Sequence, residues 1–393
     1  MAAMKPFTSS LCTLLLLAAS IPSARADAED SWNLYAGLGT MHDSNLFRAP
    51  SRFASSDQIT TAAAGLKINK PYAQQRFVFD GVLTDYRFRE NDYLNYVGKN
   101  FAAAWLWSVT PQLHGNLSAN YNEALNSFVD YRGRGRNLRT TESYRFDAEW
   151  ELWGGFRPVG GVNHTVQKNS QLFIAEGDYN ASAVEYGIKY ITPAGNSLTA
   201  MGRKSSGEYT DRVINPVAMN DSGFEQTDVE LRFVWTAFAK SNLRGRVGYV
   251  DRVHDNYSPR DYSGPVGSLD YAWDLGGKLK INAGFVQDFV SYQTLDSSYY
   301  LLRAGSIVPY WQIFGKTALR GRFSVESRDY RGAVIASLPK RDDMLYQSMV
   351  AVDWAPLRTL MVSTYLQRDT RSSSEQVYDF QSDMAGVSAS LTF

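Results

Sequence analysis

The sequence predicts an all-β chain: a transmembrane antiparallel β-barrel of the bacterial outer membrane, with about 18 strands. Three observations predict it. First, the last segment alternates, with Ala385, Val387, Ala389 and Leu391 apolar against Gly386, Ser388, Ser390 and Thr392, and it ends on the aromatic Phe393. A period of two with one greasy and one polar face is a strand between two different solvents. An aromatic residue closing such a strand is the assembly signal that the outer-membrane barrel assembly machinery reads. Second, Lys5, the apolar run Leu11 to Ala19 and the triplet Ala24-Arg25-Ala26 form a secretory signal peptide, with cleavage expected after Ala26. Third, mean hydropathy is negative, and no apolar run after residue 26 approaches the ~20 residues of a spanning helix. A membrane chain without spanning helices must close into a barrel, because only closure pairs every backbone group in lipid.

The expected organisation is therefore a leader over 1–26 and one barrel over 27–393, with almost nothing preceding a first strand at Trp32. Short turn signals recur at roughly forty-residue intervals. They are Asn69 to Tyr72, Thr110 to Gln112, Gly154 to Pro158, Thr192 to Asn196, Ala237 to Ser241, Asp274 to Lys278, Phe314 to Lys316 and Ala355 to Arg358. Longer polar segments alternate with them, at 41–58, 89–95, 121–142, 167–181, 206–224, 252–263, 288–298, 328–343 and 369–378. Eight turns and nine loops join 18 strands, an even number with both ends on the short-turn side, as single-chain bacterial barrels require. Between Arg76 and Phe88 the apolar set changes phase, from Phe77, Phe79, Gly81 and Leu83 to Tyr86 and Phe88, which predicts a bulge near Thr84.

Tryptophan placement separates a membrane barrel from a soluble β-protein. All nine, at 32, 105, 107, 150, 153, 235, 273, 311 and 354, fall beside a short turn or the N-terminus. Such a ring at one depth is an interfacial girdle, whereas the aromatics of a soluble sandwich or propeller would not gather only at alternate turns.

Composition limits the chemistry. Forty basic residues balance forty acidic ones, which gives no case for a nucleic-acid partner. The one cysteine, Cys12, lies in the leader, leaving no disulfide, thiol nucleophile or cysteine metal site beyond it. Of four histidines, His42 and His254 fall at loop starts, His164 faces lipid by alternation, and His114 alone points toward the lumen. None stands in a recognisable catalytic triad spacing, so the chain does not read as an enzyme and implies no cofactor or metal. Asp43-Ser44-Asn45 and Asp221-Ser222-Gly223 resemble pieces of calcium loops but lack the later acidic ligands, and read more simply as turns.

The inward charges carry the functional signal. By alternation, Arg145, Asp147, Glu149, Glu151, Arg203, Asp228, Glu230, Arg232, Arg244, Arg246, Asp270, Lys280, Arg320, Arg322 and Glu326 line the lumen. They form either a salt-bridged filling that holds a wide barrel round or a polar path for a hydrated solute. The segment 121–142 adds Arg132, Arg134, Arg136 and Arg139 with spacing glycines, and reads as a solvated surface loop rather than a basic lid over the mouth.

Seven segments carry a family resemblance. They are Asp43 to Arg48, Asn69 to Phe77, Ala124 to Phe128, Asn137 to Glu142, Ala175 to Tyr179, Asp221 to Phe224 and Tyr262 to Gly267. Through them the chain resembles the EpsL family, outer-membrane proteins encoded with exosortase-associated exopolysaccharide operons. The resemblance implies a role in exopolysaccharide biosynthesis and secretion, with periplasmic polysaccharide-export components as partners. It brings no established functional residues. Three readings follow: a passive conduit for exopolysaccharide, a structural or regulatory partner of the secretion complex, and a general porin for small solutes.

Overall fold

The computed structural model describes residues 31–393 except 174 and 239. The expected leader and its cleavage after Ala26 lie outside the described residues. Eighteen strands follow in order: β1 (Trp32–Asp43), β2 (Asp57–Tyr72), β3 (Gln75–Phe88), β4 (Tyr96–Ser108), β5 (Leu113–Leu125), β6 (Leu138–Trp150), β7 (Phe156–Asn169), β8 (Tyr179–Ile191) and β9 (Ser197–Tyr209). The second half comprises β10 (Gly223–Phe238), β11 (Ser241–His254), β12 (Tyr262–Leu275), β13 (Leu279–Ser291), β14 (Tyr299–Phe314), β15 (Thr317–Arg331), β16 (Asp342–Trp354), β17 (Leu360–Ser373) and β18 (Phe380–Thr392). Each pairs antiparallel with its neighbours in sequence, and β1 pairs with both β2 and β18. The sheet is a closed barrel.

Closure at the seam rests on ordinary ladder bonds. They run from Tyr35 opposite Thr392 to Asp43 opposite Met384, and Phe393 and Leu34 exchange N–H···O bonds of 2.9 and 3.0 Å just beyond them. Outward positions form the lipid face: Leu38, Leu83, Val162, Val247, Ile307 and Leu366 are all exposed on it. The tryptophans ring its short-turn end, where Trp105 stacks on Phe77 and Trp107 lies parallel to Phe146 at 5.6 Å. Strands of 12 to 16 residues exceed the ~9–11 that a tilted strand needs to cross lipid. The surplus projects from the long-loop end, so the nine loops (L1 to L9) are shorter than polarity alone suggests. The third, L3, spans only 126–137.

The expected bulge near Thr84 is absent. β3 stays in register with β2 from Ile59 opposite Phe88 to Tyr72 opposite Gln75, and with β4 across the same stretch. Thr84, Tyr86 and Phe88 instead point inward, where the two aromatics are 5% exposed. The change of phase marks where the apolar face of the strand moves from lipid to an internal core, while Asp85 and Arg87 turn outward and pair at 2.9 Å. Register shifts occur near short turns instead, in β10–β11 and β14–β15.

That internal core fills the long-loop end. One cluster joins Met41, Leu46, Phe47, Tyr86, Phe88, Tyr96, Phe128 and Tyr365; a second joins Phe173, Tyr292, Tyr300 and Tyr330. Buried side-chain acceptors tie each loop to the next. The Asp57 carboxylate accepts from the N–H groups of Arg89, Glu90 and Asn91, and Asp221 does the same for Asn256 and Tyr257. Burial opposes ionisation of Asp221, yet the hydrogen bonds from Asn256, Tyr257 and Gly223 outweigh it and hold its carboxyl below the usual range. Asp43 likewise accepts from the Asn45 N–H at 2.9 Å, from Arg48 at 2.7 Å and from the Ser382 hydroxyl at 2.6 Å, so both fragments that resemble calcium loops are turns saturated by their own chain.

Candidate functional site: the lumen and its mouth

Inward side chains of β6 to β13 form one charged wall. Arg145 bridges Asp147 at 3.1 Å and Glu185 at 2.7 Å, while Glu149 accepts from Arg157 and Lys189 at 2.7 Å each. Arg203 lies 3.8 Å from Asp228. Glu230 pairs with Arg232 and, at 3.4 Å, with Arg246, which also reaches Asp288 at 2.7 Å. Arg244 stands directly opposite Asp270, and Lys280 lies 3.9 Å from Asp274. On β15, Arg320 grips Asp353 through two 3.0 Å bonds, and Glu326 accepts from Arg328 at 2.5 Å. Glu151 departs from the sequence expectation. β6 ends at Trp150, so Glu151 sits in the short turn and meets Arg157 at 3.0 Å on the rim.

The wall from β18 through β5 is mostly uncharged. Its inward positions include Ser388, Ser390, Gly39, Thr61, Asn116 and Ser118. His114 lies on this side, opposite Glu149 across the β5–β6 pair. His164 faces outward, hydrogen-bonded to Ser182 at 2.9 Å, and His254 is buried between Asp261 and Gln293. Among the described residues no group of histidine, cysteine and carboxylate side chains is placed to hold a metal ion.

The mouth departs in part from the expectation of a solvated 121–142 loop: Arg132, Arg134 and Arg136 are exposed, but the segment before them is not. L3 folds inward. Its neck is closed by the Asn126 N–H donating to the Asn137 carbonyl at 2.7 Å, and its tip buries Phe128 and Val129 to 3% and 2% exposure. Asp130 accepts from Arg328 of β15 at 2.5 Å, and Arg371 of β17 donates to the Val129 carbonyl at 2.9 Å. In the ring of 18 strands, β15 lies opposite β6, so L3 crosses the opening from side to side. Phe128 packs edge-on against Phe47 of L1, and Tyr131 against Phe173 of L4.

The arginines of L3 keep an exposed side yet are tied to the mouth, Arg132 and Arg136 by backbone carbonyls and Arg134 by the Phe47 ring. Arg132 donates to the carbonyls of Arg48 and Val377, and Arg136 to that of Asn95. Burial lowers the Arg132 pKa from its ordinary value, and the nearby Arg371 guanidinium adds to the effect. Arg139 belongs to β6 and pairs with Glu176 at 2.5 Å. Across the barrel, Arg260 of L6 plays the same riveting role. It is 0% exposed and bonded to the carbonyls of Met219, Thr294, Ser297 and Ala218, with its pKa brought down to about 10 by burial.

No family model matches the chain, and no characterised protein matches it in sequence. Solved structures match it in shape. Pseudomonas aeruginosa OccK2 (OpdF) superposes with a TM-score of 0.51 at 11% identity, over 92% of this chain and 97% of that one. OccK1 (OpdK) of the same organism gives 0.50 at 12% identity, over 92% and 99%. Acinetobacter baumannii OccAB3 gives 0.50 at 9%, also over 92% and 99%. The chain is an outer-membrane β-barrel. At these identities the likeness fixes the fold, with outer-membrane porins as the neighbours in shape.

The ion-paired wall yields a first prediction. Replacing Arg244 and Arg246 with Glu sets like charges against Asp270, Glu230 and Asp288. In a wet lumen each close pair costs about 1 kcal/mol, since solvent and salt screen partly exposed charges. The double variant is expected to assemble normally and to shift ion preference toward cations. Reversal potentials in a salt gradient across a planar bilayer check this.

Proposed function

We propose that the chain is a passive outer-membrane channel for small hydrated solutes. The observation that carries this reading is the inward fold of L3 above a lumen walled by paired charges and small polar groups. Such a lumen stays wet, and the strap at its entrance limits what enters by size. Two neighbours in shape point the same way: OccK2 was solved in complex with glucuronate, and OpdK with vanillate. Single-channel recording and liposome swelling test it. Steady conductance and faster swelling in monosaccharides than in oligosaccharides are expected; a chain that assembles yet gives neither has another role.

The resemblance to the EpsL family supports a second reading, in exopolysaccharide secretion. Six of its seven segments fall at the long-loop end, and they include the buried joints there: Asp43 with Arg48, Phe128, Arg139 with Glu176, and Asp221. What the resemblance covers is thus mainly the construction of the mouth. As a conduit, the barrel would thread polymer past the contact of L3 with Arg328 and Arg371; as a structural partner it would pass none. Secretion measured in cells carrying the Arg244 and Arg246 reversal separates these two. Reduced export of an acidic polymer favours the conduit, and an unchanged rate favours the partner.

A further inference from the structure

Most cations on the inner wall have their charge answered. Arg145, Arg157, Lys189, Arg246 and Arg320 each touch a carboxylate, and Arg244 has Asp270 opposite. Arg322 does not. Its Nε is withdrawn from solvent with no hydrogen-bond partner among the described residues, and no ion pair forms there. Across β16 it faces Met349, and on the β14 side the ladder between Ile307–Phe323 and Tyr310–Arg320 is interrupted at Pro309, which lacks an N–H. Two residues along the strand, Arg320 is already gripped by Asp353 and adds only like charge. A buried N–H without an acceptor is costly, while the guanidinium as a whole is only part-buried, and one acidic residue at 349 would have relieved it.

We propose that Arg322 is a solute subsite in the channel wall, and that it takes the carboxylate of a small polyhydroxylated acid. The planar guanidinium offers parallel N–H donors that match a carboxylate edge. Ser324, next on the same face, is opposite Ser306, so two hydroxyls stand one step farther toward the mouth. They suit the hydroxyls that follow the acid group of a sugar acid. This inference rests on the channel reading, and its test separates the two.

Gluconate is the probe, with sorbitol and chloride as controls. In single-channel recordings gluconate is expected to produce a concentration-dependent block that weakens about tenfold in R322Q and is partly restored in R322K. Independently of conductance, the full-length barrel is treated with phenylglyoxal and the modified arginines are mapped by mass spectrometry. Arg322 is expected to react readily, and gluconate to protect it, while sorbitol and chloride do not. Protection without any conductance would retain the subsite and remove the channel reading. Conductance without protection, or equal protection by chloride, would overturn the sugar-acid subsite and leave the channel reading standing.

Discussion

Excising residues 127–136 and rejoining the strands through a short glycine–serine turn is expected to raise single-channel conductance several-fold. The neck bond between Asn126 and Asn137 already brings the two ends together, so the deletion leaves an ordinary hairpin between β5 and β6. The loss is confined to the mouth. Removing the buried Phe128 and Val129 side chains forfeits roughly 1.5–3 kcal/mol each, offset in part by the ordering entropy that a shorter loop no longer costs. Neither anchor is stranded, because Arg328 keeps Glu326 at 2.5 Å and Arg371 keeps Asp343 at 3.5 Å. Every strand ladder is untouched, so heat-modifiable mobility should be retained. Conductance equal to that of the intact chain would mean that L3 does not narrow the path.

The barrel was legible because lipid and lumen impose a period of two on every strand, and because tryptophan collects at one depth. The mouth was not, for four physical reasons. Tyr86 and Phe88 look like lipid-facing aromatics in sequence; only the tertiary core at the long-loop end turns the same alternation inward. Arg132 and Arg136 of L3 are matched by backbone carbonyls and Arg134 by an aromatic ring, which leave no complementary acid to find. Where a carboxylate is involved it is distant, as with Asp130 and Arg328, 198 residues apart. Within a hairpin the charges were readable: Glu230 and Arg246 lie one diagonal step apart across the β10–β11 pair. The polarity of 121–142 misled because Tyr121 to Leu125 continue β5 beyond the lipid, where a polar strand costs nothing.

Replacing Asp343 with Ala is expected to be the most destabilising single change in the wall that anchors L3. This carboxylate and Arg371 are fully buried, and Arg341 is 3% exposed. Asp343 accepts from Arg341 at 2.6 and 3.1 Å, lies 3.5 Å from Arg371, and accepts weakly from the Tyr330 hydroxyl at 3.4 Å. The Arg341 guanidinium holds the acid's charge in place, and the acid raises the pKa of Arg341 above its ordinary value although burial opposes it. Removing one partner of a buried pair leaves the other uncompensated, at about 3–5 kcal/mol. Here two guanidinium groups lose their acid, and Asp130, 3.9 Å from Arg371, is the nearest replacement. The denaturant midpoint of the refolded barrel should fall accordingly. Arg371 also holds the Val129 carbonyl, so a loosened Arg371 releases the tip of L3. The same variant is therefore expected to open more often and more widely in bilayer recordings. An Arg371→Met exchange, which removes the strap contact and one of the two cations together, should free L3 at a smaller cost in stability. A midpoint drop of equal size in both variants would place the stability in Arg371 itself rather than in its pairing with Asp343.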